Sequence, residues 1–283
     1  MAPVKRGLFT HKRKVGGTKR MEGINRQGIL LSLLFLTMTY FFARGYYTPF
    51  FVFLIALLLL VAFFKEEKRL FAWMVISFFL GNLLLVYMDN FIESFRSSAY
   101  SLVMSSQLLL LIPIIIISYV IKKFKLEISP FLKKPMLSGE IQLPFNIAFS
   151  LRKFFLFLCL LSILAIIGIL LIKKDEVQWH LLLFILLFSS FNALLEEVLW
   201  RGILLSKLIT ITNQRLGMIV TSIAFGLHTT MFGFSILISI LYFFLGLLFG
   251  LLTLSSKSII PAIIVHTLIT TLLIISGWVM IPV

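Results

Sequence analysis

Nine long apolar runs, near residues 27 to 43, 47 to 64, 70 to 88, 98 to 121, 154 to 172, 177 to 200, 216 to 234, 235 to 254 and 258 to 280, constrain this chain more than any other feature. A helix crossing about 30 Å of hydrocarbon takes about 20 residues, and about 17 suffice. Each run therefore predicts a membrane span, and the chain as a whole an all-α, polytopic transmembrane helical bundle. Most runs are apolar all round, so periodicity does not tell which face packs inward. At Gly233-Phe234-Ser235 two runs are joined by almost nothing. One of that pair is then short, tilted or re-entrant, and both eight and nine spans stay open.

Of the 283 residues 60% are hydrophobic and 13% charged, with a mean hydropathy of +1.08, where a soluble domain has about 45–50% and about 25%. The net charge of +15 does not point to nucleic acid, because the charges fall between apolar runs and not on one wet face. The single cysteine, Cys159, excludes a disulfide framework and a cysteine-based metal cluster.

Orientation follows from Lys and Arg, which cytoplasmic loops retain. Segments 1–26, 65–69, 122–153, 201–215 and Lys257 hold 22 of them, whereas the opposite loops hold only Arg44, Arg96, Lys173 and Lys174. With nine spans the N-terminus is cytoplasmic and the C-terminus external. The first apolar run follows a basic stretch too long for a signal peptide and lacks a small-x-small cleavage site, so it reads as a retained anchor. The predicted organisation is a basic cytoplasmic tail at 1–26 near anionic headgroups, a four-span region at 27–121, a cytoplasmic loop at 122–153 and a second unit at 154–283. Pro130, Pro135 and Pro144 interrupt any long helix in that loop, leaving room for a stretch lying on the membrane surface.

Two acids, Glu196 and Glu197, and two histidines, His228 and His266, fall inside predicted spans. A carboxylate at the bilayer centre costs at least ~2.5 kcal/mol on insertion scales, so an adjacent pair is expected to face a protein interior or a wet cavity. Glu197 and Arg201 stand at i and i+4, acid first, the favourable order for an ion pair. Glu196 is turned by about 100° and meets only Leu199 and Trp200 at i+3 and i+4. It must find a partner across the bundle: either it merely bonds a neighbouring helix, or it acts beside an imidazole as a general base on water. His266 follows Pro261 at a helix start, with Thr270 on the same face. Its N–H and the Thr270 hydroxyl either donate to an oxyanion or satisfy one another's helix. Gly246 and Gly250 predict close helix packing within one bundle, and Pro113 a tolerated kink. There is no HExxH and no phosphate-cradling glycine loop.

Glu196-Glu197-x-x-x-Arg201-Gly202, then Phe225-Gly226-Leu227-His228, then Pro261-x-x-x-x-His266 resembles the CPBP family of intramembrane proteases, the CAAX-protease and bacteriocin-processing (Abi) group. The resemblance spans roughly residues 154 to 280 and makes 154–283 a CPBP-like protease core. It implies a cavity open to the cytoplasmic side, with Glu196 as base, His228 as its partner in activating water, His266 as oxyanion donor, and Glu197 and Arg201 in support. Two positions depart from the family pattern: the phenylalanine stands three rather than four residues before His228, and Thr270 replaces the usual Asn or Asp. A threonine offers one donor where an asparagine amide offers two.

The expectation is an intramembrane glutamate endopeptidase of the bacterial plasma membrane, Lys, Ile and Phe usage pointing to a low-GC host. Its partners would be the lipid bilayer and a membrane-associated peptide or lipidated protein, with no nucleic acid, cofactor or metal. No carboxylate adjoins either intramembrane histidine in sequence to orient it as a metal ligand. Other readings stay open: a non-catalytic immunity or regulatory protein on the same scaffold, zinc held by Glu196, His228 and His266, and a proton-coupled transporter.

Overall fold

The computed structural model describes residues 26–95, 98–142, 148–173 and 178–279. The basic tail up to residue 25, Arg96, Pro144 and the charged stretch Lys174 to Glu176 lie outside the described residues.

Among the described residues the helices form nine rods. They are α1 (Arg26–Ala43), α2 (Tyr47–Leu60), α3 (Glu66–Glu93), α4 (Ala99–Leu108) with α5 (Leu111–Lys123), α6 (Leu151–Ile172), α7 (Trp179–Glu197) running into α8 (Ser206–Ile211), α9 (Gln214–Thr229), α10 (Ile236–Ser256) and α11 (Ile260–Ile275). Six rods, those beginning with α1, α3, α4, α6, α7 and α10, are long and apolar enough to cross a membrane, and α2 and α11 are shorter apolar helices. The all-α membrane bundle is thus observed. α9 has 16 residues and ends in a single 3-10 turn, Thr230–Phe232, closed by Gly233 at φ +78°. That positive φ suits glycine, and it is how so short a junction reverses the chain.

The fourth predicted span is broken. Leu109 and Leu110 bond back to Ser106 and Gln107 at i−3, three to four residues before Pro113. Proline has no N–H to give and its ring crowds the carbonyl four residues earlier, so the rod divides at that point.

The stretch 201–215, expected as a cytoplasmic loop, is corrected: α7 continues through a π-helical segment, Val198–Leu205, and α8 to Ile211. Arg201 and Lys207 are buried, at 2% and 8% exposure. Apolar Leu199, Ile203, Leu204, Leu205 and Leu208 fill the same turns, so the helix finds a core there and not water. The loop after α5 is also more ordered than its prolines suggest. It carries a short antiparallel hairpin, β1 (Glu140–Gln142) with β2 (Ala148–Ser150). Bonds from Met136 N to Ser256 O, Ile259 N to Phe131 O and Lys207 Nζ to Glu127 O pin it to the ends of α8, α10 and α11.

In lipid there is no hydrophobic drive between helices, so small residues that allow close approach carry the packing. A Cβ on Gly81 of α3 would stand 2.6 Å from Pro113 Cα of α5, and one on Gly226 of α9 would stand 2.5 Å from Ser239 O of α10. Gly246 and Gly250 lie against Ser222 and Met218, so this glycine pair packs α10 onto α9 inside one bundle, as expected. Edge-to-face aromatics join the two halves: Phe35 meets Phe78, and Phe78 meets Trp200, which meets Phe225. On α6 Leu151 and Ser162 are buried and Phe154, Phe155, Leu158 and Cys159 pack partly against the core; its other face, with Leu156, Phe157, Leu160, Leu164 and Leu171, is exposed.

Candidate active site

The polar residues on α7 divide between two faces. Asn192 and Glu196, one turn apart, share a face, and Asn192 Nδ2 donates to Glu196 Oε2 at 3.3 Å. Gln107 of α4 donates in turn to Asn192 Oδ1 at 2.8 Å. Glu197, on the adjoining face, accepts from Arg201 Nη1 at 3.0 Å, with exposures of 0% and 2%. The guanidinium also reaches Gly246 O at 3.4 Å and lies over the rings of Phe225, at 4.2 Å, and Phe249, at 5.2 Å. Hydrogen bonding and two π-faces compensate a cation that burial alone would make costly.

His266 joins the two acids. Pro261 starts α11, and the imidazole two turns on stacks on Phe249 at 4.5 Å. Its Nδ1 lies 2.9 Å from Glu197 Oε1; facing an ionised carboxylate, that nitrogen donates. Its Nε2 lies 3.5 Å from Glu196 Oε2, within ion-pair range but off hydrogen-bonding geometry, so it has no hydrogen-bond partner. Thr270, one turn on and 3% exposed, has a hydroxyl that is likewise unpartnered. The imidazole thus stands between the two acids, with Arg201 as the counter-charge of Glu197.

His228 sits apart from this group. Its ring packs edge-on against Trp200 and Phe232 and tilted against Phe78, and its Nε2 lies 3.0 Å from Asn82 Oδ1 of α3. Among the described residues it makes no ion-pair contact with Glu196. The histidine that meets Glu196 is His266. No three His, Cys, Asp or Glu of the described residues form a metal-holding group, and one nitrogen of His228 and one of His266 are already engaged by protein.

A cavity of about 640 Å³ begins at Glu196, Asn192 and Thr270 and passes Gln107 and Tyr242 to Asp89, Glu93, Ala99 and Val279. Its mouth thus lies where α3 ends, α4 begins and α11 is left behind. That is the face opposite the start of α1 and the loop after α5. The charge rule leads one to expect this face outside, whereas the family resemblance implies a cytoplasmic opening. A cytoplasmic N-terminus and a cytoplasmic mouth do not both fit this arrangement.

Sequence reading brought out Glu196, Glu197, Arg201, His228, His266 and Thr270. It missed Asn82, Gln107 and Asn192. An amide within an apolar run is their common signal, and for Asn192 there is also its place at i−4 from Glu196.

Residues 178–272 match the family described as Rce1-like, the type II CAAX prenyl endopeptidases. The resemblance read from the motifs is borne out there. No curated protein and no solved structure matches the chain.

Proposed function

We propose that this chain, Rce1-like over residues 178–272, is an intramembrane endopeptidase that uses Glu196 as general base to hydrolyse a peptide bond in a membrane-associated peptide or lipidated protein. The observation that carries the reading is the floor of the cavity. There Glu196 and Thr270 line the cavity, the Thr270 hydroxyl has no protein partner, and the equally unpartnered Nε2 of His266 lies 3.5 Å from Glu196 Oε2. A buried polar group is usually paired, and the Thr270 hydroxyl, open to the cavity, is left for something that enters.

The chemistry is water addition. Glu196 takes a proton from a water at the cavity floor as that water's oxygen bonds to the scissile carbonyl carbon. The carbonyl oxygen becomes an oxyanion; Thr270 Oγ–H is a donor available to it, and His266 Nε2 becomes a second once the imidazole, already donating through Nδ1 to Glu197, carries a proton on both nitrogens. Glu196 then returns the proton to the leaving nitrogen as the C–N bond breaks, yielding one carboxylate and one amine. Glu197 orients His266 through Nδ1 as a carboxylate orients a catalytic imidazole, and Arg201 pairs with Glu197 on its other side. His228 does not line the cavity; it packs against Phe232, which does, with its Nε2 committed to Asn82. A prenylated C-terminal peptide is the first substrate to try, because the matched family acts on such peptides and the exposed apolar flank of α6 would tolerate a lipid chain alongside.

The test is cleavage of prenylated and unprenylated membrane peptides by the purified protein in proteoliposomes, read by mass spectrometry, with Glu196→Gln as control. The expected result is internal cleavage that falls by about 10²-fold or more in Glu196→Gln and persists in phenanthroline. Equal cleavage by Glu196→Gln sinks the base assignment. Loss in chelator with restoration by zinc favours a metal site, and absence of any cleavage favours a non-catalytic immunity or regulatory role.

A further inference from the structure

The matched family segment begins at residue 178, yet two of the site's hydrogen bonds reach it from helices that end before residue 109. On α3, Asn82 is fully buried. Its Nδ2 donates to Phe78 O at 2.8 Å, which settles which end of the amide faces the imidazole: the oxygen, 3.0 Å from His228 Nε2. A carbonyl oxygen only accepts, so the imidazole carries its proton on Nε2 and keeps a lone pair on Nδ1. On α4, Gln107 donates to Asn192 Oδ1, and Asn192 Nδ2 donates to Glu196 Oε2. With Glu196 ionised, as a general base must be, the order of that relay follows, because a carboxylate at its end can only accept.

We propose that the first four rods are part of the active site, with Asn82 and Gln107 as positioning residues: Asn82 fixes the tautomer of His228, and Gln107 holds Asn192 so that its N–H, not its oxygen, faces Glu196. The proposal rests on the peptidase reading and extends the working unit well beyond the family segment. Polar bonds between membrane helices also serve as glue, at about 0.6 kcal/mol on average. A merely adhesive bond has no need of a histidine tautomer or of a fixed donor on the base, and those are what the tests below read.

The chain has four histidines, so ¹⁵N-histidine labelling in nanodiscs, with His228→Gln for assignment, reads the tautomer of His228 directly. The wild type should show the Nε2–H form, and Asn82→Leu a mixture, with kcat down about tenfold and KM changed by no more than about twofold. At position 107 the comparison is between Gln107→Leu, which deletes the donor, and Gln107→Glu. A carboxylate at 107 accepts from the Asn192 amide, flips it and turns its oxygen onto Glu196. Gln107→Glu should therefore lose more kcat than Gln107→Leu, while the His228 nitrogens stay unchanged. This half stands if Asn82→Leu fails to fold, since Gln107 is only partly buried. Wild-type kcat in both Asn82→Leu and Gln107→Glu, or loss that tracks melting temperature alone without the order at 107, overturns the proposal. If the wild type cleaves no membrane peptide, the peptidase reading falls by itself; an unshifted His228 tautomer in Asn82→Leu then still overturns the Asn82 assignment.

Discussion

Glu197 Oε1 receives Arg201 Nη1 at 3.0 Å and His266 Nδ1 at 2.9 Å on the same oxygen. One carboxylate thus both neutralises a buried cation and aims the imidazole of a helix 69 residues away. These two duties separate on mutation.

Glu197→Ala strands the Arg201 guanidinium, and removing one member of a buried pair costs about 3–5 kcal/mol. Detergent melting of Glu197→Ala and Arg201→Ala should show large losses, and the Glu197→Ala/Arg201→Ala double variant should recover part of the loss as a non-additive term. Cleavage should not recover with it, because His266 Nδ1 has still lost its acceptor. A double variant as active as the wild type would detach Glu197 from the imidazole.

Thr270 gives the reverse pattern. Its hydroxyl is buried and bonded to nothing in the protein, so Thr270→Val removes no internal bond and should leave stability unchanged or slightly raised. If the hydroxyl meets an oxyanion, cleavage falls by about 10²-fold, and Thr270→Asn restores or exceeds wild-type rates. Full activity in Thr270→Val would leave His266 as the lone donor.

The α9–α10 contact offers a test of packing. Gly226→Ala puts a Cβ 2.5 Å from Ser239 O and 3.0 Å from Phe243 N, both backbone atoms, so the helices must part. The expected cost is in the range of about 1–3 kcal/mol for overpacking, with cleavage reduced through displacement of His228 two residues on. Gly168 on α6 has nothing within 4 Å of its Cβ direction, and Gly168→Ala should be neutral or stabilising by up to about 1 kcal/mol. Similar melting temperatures for the two variants would mean that α9 and α10 are not in close contact.

The split of Lys and Arg, less the buried Arg201 and Lys207, predicts a cytoplasmic loop after α5 and with it an outward cavity mouth. In a Cys159→Ser background, Ser94→Cys, beside the mouth, should label from outside with an impermeant maleimide, and Ser138→Cys only after permeabilisation. The opposite pattern would put the mouth in the cytoplasm and reverse the whole bundle.

What could be read in advance follows from what stands out in an apolar chain. The helical class, the Glu197–Arg201 pair and the polar members of α7, α9 and α11 were legible because charge and imidazole are conspicuous in lipid-length runs. Asn82 and Gln107 were not, being neutral, with partners 146 and 85 positions away. The partner of Glu196 was missed for another reason: it lies upstream at i−4, and the downstream positions hold only Leu199 and Trp200. Nor does any pattern announce that His266, and not His228, meets Glu196, since helix rotation in an all-round apolar rod has no periodic signature.

The π-helical segment Val198–Leu205 has a consequence for how such a chain can vary. A wide turn is a residue added to an α-helix, and it separates Glu196 from Lys207, whose ammonium is fastened to Glu127 O. Substitutions there change what the turn touches, but excising one residue would restore α pitch and swing everything beyond it by about 100°. Lys207 would leave its anchor, and the floor of the bundle would open. Length, more than composition, is therefore the quantity this stretch must keep.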